Sequence, residues 1–183
     1  MNNYTTARNY GLLWGTVSIL IYLTIYLVTG AMDTGAYLGF IIFAGGIAVM
    51  YYIGLARRNE LGGYIEWKEA MVHIWIGALI ATAMTTLFLV LMYNYIDPSL
   101  LEHVKEVQIK TLEEFRGRLG DAETEKQIER IQDSNPFGPG NSALIMAGGA
   151  LLQFLISCLV ALVVRKDNPN SLASGQQKFS DRF

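Results

Sequence analysis

The chain has 183 residues, a formal net charge of −2 and a single cysteine, and hydrophobic residues make up 52% of it. One cysteine excludes an internal disulfide and any cysteine-based metal cluster. The length suits one domain. The mean hydropathy of +0.30 is high for a soluble domain whose charges are concentrated in one block.

Four long stretches contain no Asp, Glu, Lys or Arg, and each is long enough to cross a bilayer core of about 30 Å as a helix. The first is longer than the roughly 7–15 residues of a signal-peptide core, so we expect it to be retained. We predict an all-α integral membrane protein in which residues 1–166 form one transmembrane domain and residues 167–183 a flexible cytoplasmic tail. The predicted spans are about 10–29, 36–56, 70–95 and 142–164.

Basic residues near the span ends predict the orientation, because Lys and Arg are retained on the cytoplasmic side. The first loop has Asp33 and no base, whereas the N-terminus, the second loop and the C-terminus each carry basic residues. We therefore predict a multi-pass protein of the inner (cytoplasmic) membrane with both termini in the cytoplasm. The basic residues are Arg8, Arg57, Arg58, Lys68, Arg165 and Lys166.

The third and fourth spans are separated by a charged insertion, residues 97–140, which this orientation places outside the cytoplasm. It holds ten acids and six bases between Asp97 and Asp133, a net charge of 6 − 10 = −4. Asp97 and Pro98 suit the start of a helix. Apolar residues then recur at helical spacing, and a shorter helix follows to about residue 132, so we predict a helical hairpin. It is either a solvated cap or a partner-binding face or gate, and the apolar face comprises Leu101, Val104, Leu112 and Phe115.

Groups able to carry chemistry are few. The four apolar stretches contain no carboxylate of the kind that proton-driven transporters use. No nucleophile-elbow, Walker or dinucleotide motif occurs in the sequence. Glu66, Glu69 and His73 share one helix face if the third helix starts early, and such a set can bind a divalent metal. No second histidine is nearby, so they are weak metal candidates. We predict no metal, no cofactor, no nucleic-acid partner and no enzymatic activity.

Small and polar residues in the spans indicate helix packing. Gly11 and Gly15 form a GxxxG pair, which allows close helix approach within one chain or between two copies. Thr82, Thr86 and Gln153 can hydrogen-bond between helices, and as an alternative they can line a continuous polar cavity, which would favour a channel or carrier.

Four short stretches occur in a recognisable order: NYGLLWGTVSILIYL, GGYIEWKEAM, YNYIDPSLLE, and NPF ahead of the last run. Together they resemble a bacterial family of small four-helix membrane proteins catalogued as domain of unknown function 4199, from about Tyr10 to Lys166. The resemblance implies an integral inner-membrane protein with no assigned reaction. The matching positions are Gly63, Ile65, Trp67, Lys68, Glu69 and Ala70 in the second stretch and Tyr95, Ile96, Asp97 and Pro98 in the third.

These observations favour a non-enzymatic scaffold or accessory subunit of an envelope complex, which contacts the lipid bilayer and a second membrane protein or another copy of itself. The alternative is a small oligomeric channel or carrier. Gly63, Trp67, Lys68 and Glu69 are the predicted junction or interaction residues at the start of the third span. Asp97 and Pro98 mark the corresponding junction at its end.

Overall fold

The computed structural model describes residues 4–32 and 35–168, and these form seven α-helices and one π-helical turn. The predicted all-α architecture, with four long apolar helices and a helical region between the third and fourth, is confirmed. Most of the predicted tail, residues 169–183, lies outside the described residues, as does Asp33. The elements are α1 Thr5–Thr29, α2 Gly35–Glu60, α3 Trp67–Leu91, the π turn Met92–Ile96, α4 Ser99–Glu114, α5 Arg116–Leu119, α6 Asp121–Asp133 and α7 Pro139–Val164.

Helices α1, α2, α3 and α7 are long and apolar enough to cross a membrane, and they form a bundle with two distinct ends. We call the end with the start of α1, the α2–α3 turn and the end of α7 the terminal end. The other, which carries α4 to α6, is the hairpin end. Helix α3 is central, because it contacts α1, α2 and α7, whereas no contact joins α1 to α7 in the described part of the chain.

The terminal half of the bundle is closely packed. Gly11 of α1 lies so near α3 that a Cβ atom on it would be 2.5 Å from the carbonyl oxygen of Gly77. Because lipid offers no hydrophobic drive for helix association, such close backbone contact is a main source of stability in membrane bundles. The GxxxG pair therefore packs within the chain, and the core beside it includes Ala7, Met50, Ile53, Ala70, Ile74, Ala161 and Val164.

The hairpin half is more open. Tyr37, near the start of α2, is 84% exposed, and Leu144, near the start of α7, is 73% exposed. Helices α1 and α3 remain in contact there through a small cluster in which Met32, Met92, Tyr93 and Leu100 are buried. Helix α4 thus packs on the end of α1 and α3, while the first halves of α2 and α7 have few protein neighbours.

Candidate functional site

The turn between α2 and α3 depends on two glycines in the left-handed region. Gly62 has φ 78° and Gly63 has φ 92°, a conformation that other residues adopt only with strain. The chain then pairs with the segment after α7, since Ile65 and Lys166 exchange backbone hydrogen bonds of 3.0 and 3.1 Å. The Lys166 ammonium also lies 5.5 Å from the centre of the Tyr64 ring. Gly63 therefore helps to close a turn that joins three helix ends.

Trp67 is the first residue of α3, and its indole Nε1 donates a 3.1 Å hydrogen bond to the carbonyl of Cys158 on α7. Lys68 is exposed beside it. A second tryptophan makes the same kind of contact nearer the middle of the bundle, since Trp75 Nε1 donates to the carbonyl of Ala150 at 3.1 Å. Two indoles therefore attach α3 to α7.

Arg57 joins three helices at the terminal end. Its Nε and Nη2 atoms donate to Glu69 Oε1 on α3 at 3.2 and 2.9 Å, and its Nη1 donates to Glu60 Oε2 at 3.0 Å. The Thr6 hydroxyl on α1 donates to the other Glu60 oxygen. A guanidinium suits this position because it presents several donors in a fixed plane.

The three weak metal candidates have separate surroundings. Glu66 is exposed just before α3, and the Glu69 carboxylate is paired with Arg57. His73 is buried, with Nδ1 2.9 Å from the carbonyl oxygen of Glu69 and its ring centre 4.8 Å from that of Tyr4. Within residues 4–32 and 35–168, no three His, Cys, Asp or Glu side chains are grouped to hold a metal ion.

Asp97 links α4 to α1 at the hairpin end. One carboxylate oxygen accepts hydrogen bonds from the backbone N–H and hydroxyl of Ser99, and the other accepts from the Tyr26 hydroxyl at 2.9 Å. The hydrogen bonds from Ser99, and then that from Tyr26, lower the pKa of the Asp97 carboxyl below its usual value. Pro98 follows, and α4 begins at Ser99. The predicted junction residues therefore start the helix and fix its position on the bundle.

The π turn aims two side chains at the segment that leads into α7. The Tyr93 ring stacks on Phe137 with centroids 3.7 Å apart. Asn94 Nδ2 donates to the Phe137 carbonyl at 2.8 Å, and its oxygen accepts from Asn135 Nδ2 at 2.9 Å. A π turn changes the direction of side chains relative to an α-helix and is often found at functional positions. Here it orders the return of the chain to the membrane.

The predicted apolar face of the hairpin is divided between two surfaces. Leu101 and Val104 pack on the cluster at the end of the bundle. Leu112 and Phe115 lie farther along and line a groove of about 470 Å³ between α4, α5 and α6. We call this the hairpin groove. Its other lining residues are Val107, Gln108, Thr111, Arg118, Leu119 and Ile131.

A cavity of about 250 Å³ lies inside the bundle between α1, α2, α3 and α7. Thr82 and Gln153 both line it and are joined directly, with the Gln153 amide nitrogen donating to the Thr82 hydroxyl. The Gln153 Oε1 atom is buried and has no hydrogen-bond partner among the described residues. None of the residues that line the cavity is charged. We call it the membrane cavity.

Several residues of these sites do not stand out in the sequence. The contacts that place Asn94 and Asn135 in the fold join residues distant in the chain, and Arg57 is noticeable only as a topology signal. One signal was available, since Asn94 and Asn135 lie close to the two ends of the charged insertion, where a polar amide beside an apolar run needs a hydrogen-bond partner.

Comparison with known proteins gives one match. No curated protein matches the chain, and no solved structure does. A family model described as a protein of unknown function, DUF4199, matches residues 9–166. That match covers α1 from residue 9 onward, the other three long helices, both junctions and the hairpin. The chain therefore belongs to the DUF4199 family.

Proposed function

We propose that the protein is a non-enzymatic scaffold or accessory subunit of an envelope complex in the inner membrane of a bacterium. The observation that carries this proposal is the hairpin groove. Phe115 is 45% exposed and Leu119 is 42% exposed at a position where α6 offers only Ile131 to cover them. An apolar groove that the chain leaves uncovered is a typical protein-binding surface.

The charge of the hairpin indicates what kind of partner fits. Residues 97–133 carry ten acids against six bases, so an anionic lipid surface repels the hairpin. A protein segment with apolar side chains flanked by basic ones is complementary both to the groove and to its acidic surroundings. We therefore favour a second membrane protein as the occupant, with lipid and a second copy of the chain as the competing outcomes.

Site-specific crosslinking tests this proposal. A photo-crosslinking amino acid at position 119 should trap one stoichiometric partner in native membranes, and the same group at position 106, on an exposed part of α4, should not. Phe115→Asp should weaken the association at least about tenfold, since each covered apolar side chain contributes roughly 1.5–3 kcal/mol. Ala122→Asp adds the same charge at an exposed site on α6 and should have no effect.

Each outcome of the crosslinking has a meaning. A product of twice the chain's mass assigns the groove to self-association. Crosslinks to lipid alone, or equal products at positions 119 and 106, would rule out a protein partner.

The proposal includes the orientation, with the terminal end in the cytoplasm and the hairpin outside. It is supported by Arg8, Arg57, Arg58, Arg165 and Lys166, which all belong to the terminal end. A cysteine introduced at Ser134 should react with an impermeant thiol reagent in intact spheroplasts, and one at Asn59 should react only after permeabilisation. The parent chain, with Cys158 alone, is the control, and the reverse labelling pattern would overturn the orientation.

A small oligomeric channel or carrier is the second candidate, and the membrane cavity favours it because Thr82, Thr86 and Gln153 line one space. Met50 and Ile53, which line the cavity in the terminal half, are buried. A carrier that opens alternately therefore agrees better with the geometry than an open pore. Solute or ion flux in liposomes, lost on Gln153→Leu, would support this candidate over a scaffold.

A further inference from the structure

We infer that the membrane cavity binds a neutral, hydroxyl-bearing amphiphile that enters from the bilayer, with its hydroxyl donating a hydrogen bond to Gln153 Oε1. This inference does not rest on the proposed scaffold function. Its first support is the Gln153 oxygen itself, which is buried without a partner in the described part of the chain near the middle of α7. An acceptor withdrawn from water in the hydrocarbon layer is unfavourable unless a donor reaches it.

Two other polar groups in the cavity are already engaged. The Thr85 hydroxyl donates to the Ala81 carbonyl at 3.0 Å, and the Thr82 hydroxyl accepts from the Gln153 amide. The hydroxyls of Ser18, Tyr22 and Thr86 also line the cavity, but no charged residue does, so nothing there offsets the cost of withdrawing an ion from water. A neutral molecule with a donor for Gln153 Oε1 therefore fits the cavity better than an ion.

The size and surroundings of the cavity define the rest of the ligand. A cavity of about 150 Å³ accommodates a benzene ring, so the 250 Å³ here takes a ring with a short apolar chain. Most of the lining is apolar or small, including Ile42, Ile47 and Ala78. These residues provide no further polar contacts, so the ligand body is apolar.

The open side of the cavity faces lipid. Phe43, which lines it, is 48% exposed and lies about 12 Å along α2 from Gly35, at about 1.5 Å per residue. That depth is within the hydrocarbon layer. Helix α2 is poorly covered in this half, with Phe40 and Ile41 also exposed. A molecule dissolved in the bilayer can therefore enter the cavity laterally from the hydrocarbon layer.

Two isomers of one formula test the hydrogen bond. Para-butylphenol has a hydroxyl donor, whereas para-propylanisole has the same atoms with the oxygen methylated and no donor. With the purified protein in non-ionic detergent at matched micellar mole fractions, dissociation constants are measured by ligand-observed NMR. The phenol should bind about tenfold more tightly, the usual net effect of one hydrogen bond to a buried acceptor.

Variants then locate the site. Gln153→Met keeps the length of the side chain without the acceptor, so the preference for the phenol should fall to about twofold or less. The control variant Gln132→Met, on the exposed hairpin, should retain the full preference for the phenol. Gly46→Ala reduces the volume of the cavity without a clash, because its Cβ would lie 3.5 Å from Trp14 Nε1. It should weaken the binding of both isomers severalfold. If Gln153→Met fails to fold, two results decide whether the ligand occupies the cavity. These are the preference of the parent protein for the phenol and the weaker binding of both isomers by Gly46→Ala.

Three results would overturn the inference. Equal affinity for the isomers, or no binding of either, would mean that water satisfies the Gln153 oxygen. A phenol preference unchanged in Gln153→Met would place the ligand elsewhere. A sodium-dependent rise in melting temperature that disappears in Gln153→Met would assign the cavity to a cation.

Discussion

The two halves of the bundle are built in different ways. In the terminal half, glycines bring backbones together, and the Arg57 network and the Ile65–Lys166 pairing join the helix ends. In the hairpin half, α2 and α7 expose most of their side chains, and polar contacts around Asp97, Asn94 and Asn135 hold the remaining elements. The terminal half thus resembles a rigid base, and the candidate binding surfaces lie in or open toward the less tightly packed half.

This difference indicates how stability is distributed. Regions with few packed neighbours open locally at lower free energy than the core of the same protein. The hairpin groove lies on the side of lower packing, and the membrane cavity extends from there to Met50 and Ile53 of the terminal half. A change in the terminal half should therefore lower the stability of the whole bundle, and a change in the hairpin half should loosen only its own surroundings.

The largest expected effect follows from Gly11→Ala. The added Cβ would lie 2.5 Å from the backbone oxygen of Gly77, and a backbone atom cannot rotate away, so α1 and α3 must separate. We expect the free energy of unfolding to fall by about 1–3 kcal/mol, measured by thermal unfolding in detergent.

Gly148→Ala is the matched control for that substitution. Nothing lies within 4 Å of a Cβ at Gly148 in the hairpin half of α7, and alanine favours a helix over glycine. Stability should be unchanged or slightly higher. If both variants lose stability equally, close packing does not distinguish the halves.

Trp67→Phe should have an intermediate effect. Phenylalanine keeps an aromatic ring at the start of α3 but cannot donate to the Cys158 carbonyl, which the indole reaches at 3.1 Å. The expected loss is about 1 kcal/mol, the usual net contribution of one hydrogen bond. Trp67→Ala, which also removes the ring packing, should cost more in the same unfolding measurement. A Trp67→Phe variant as stable as the parent would show that ring packing alone holds α3 to α7.

The four long helices were predictable because each is an uninterrupted apolar run, and length alone then determines that it can span a bilayer. The close approach at Gly11 and Gly15 was also predictable in kind, since only small residues permit it. The identity of the partner helix was not. A GxxxG pair looks the same in sequence whether it packs on α3 of its own chain or on another copy.

The membrane cavity could not be derived from composition for a related reason. Side chains that face lipid and side chains that face another helix are equally apolar, so the sequence does not reveal that α2 and α7 stand apart in one half. The same limit applies to the hairpin, where Val104 and Leu112 share a predicted helix face but meet different surfaces. Contacts such as Asn94 with Asn135 depend on where the chain returns after the hairpin.

The smallest and most local effect should come from Asp97. Its pKa is lowered in the folded protein by hydrogen bonds from Ser99 and Tyr26, so the folded state favours the charged carboxylate. The stabilisation is therefore present above the ordinary pKa of 3.8 and is lost as the pH falls below it toward the lowered folded value. Hydrogen exchange should show the amides of α4 becoming less protected over that acidic range.

The first half of α3 provides the internal reference for this measurement, because it belongs to the terminal half and has no contact with Asp97 described in the structure. Its protection should stay constant while that of α4 declines. Asp97→Asn should remove most of the pH dependence in α4, since an amide does not titrate, and Tyr26→Phe should remove part of it. If α3 and α4 lose protection together in the parent chain, the two halves unfold as one unit, and the division between a rigid base and a looser hairpin half is wrong.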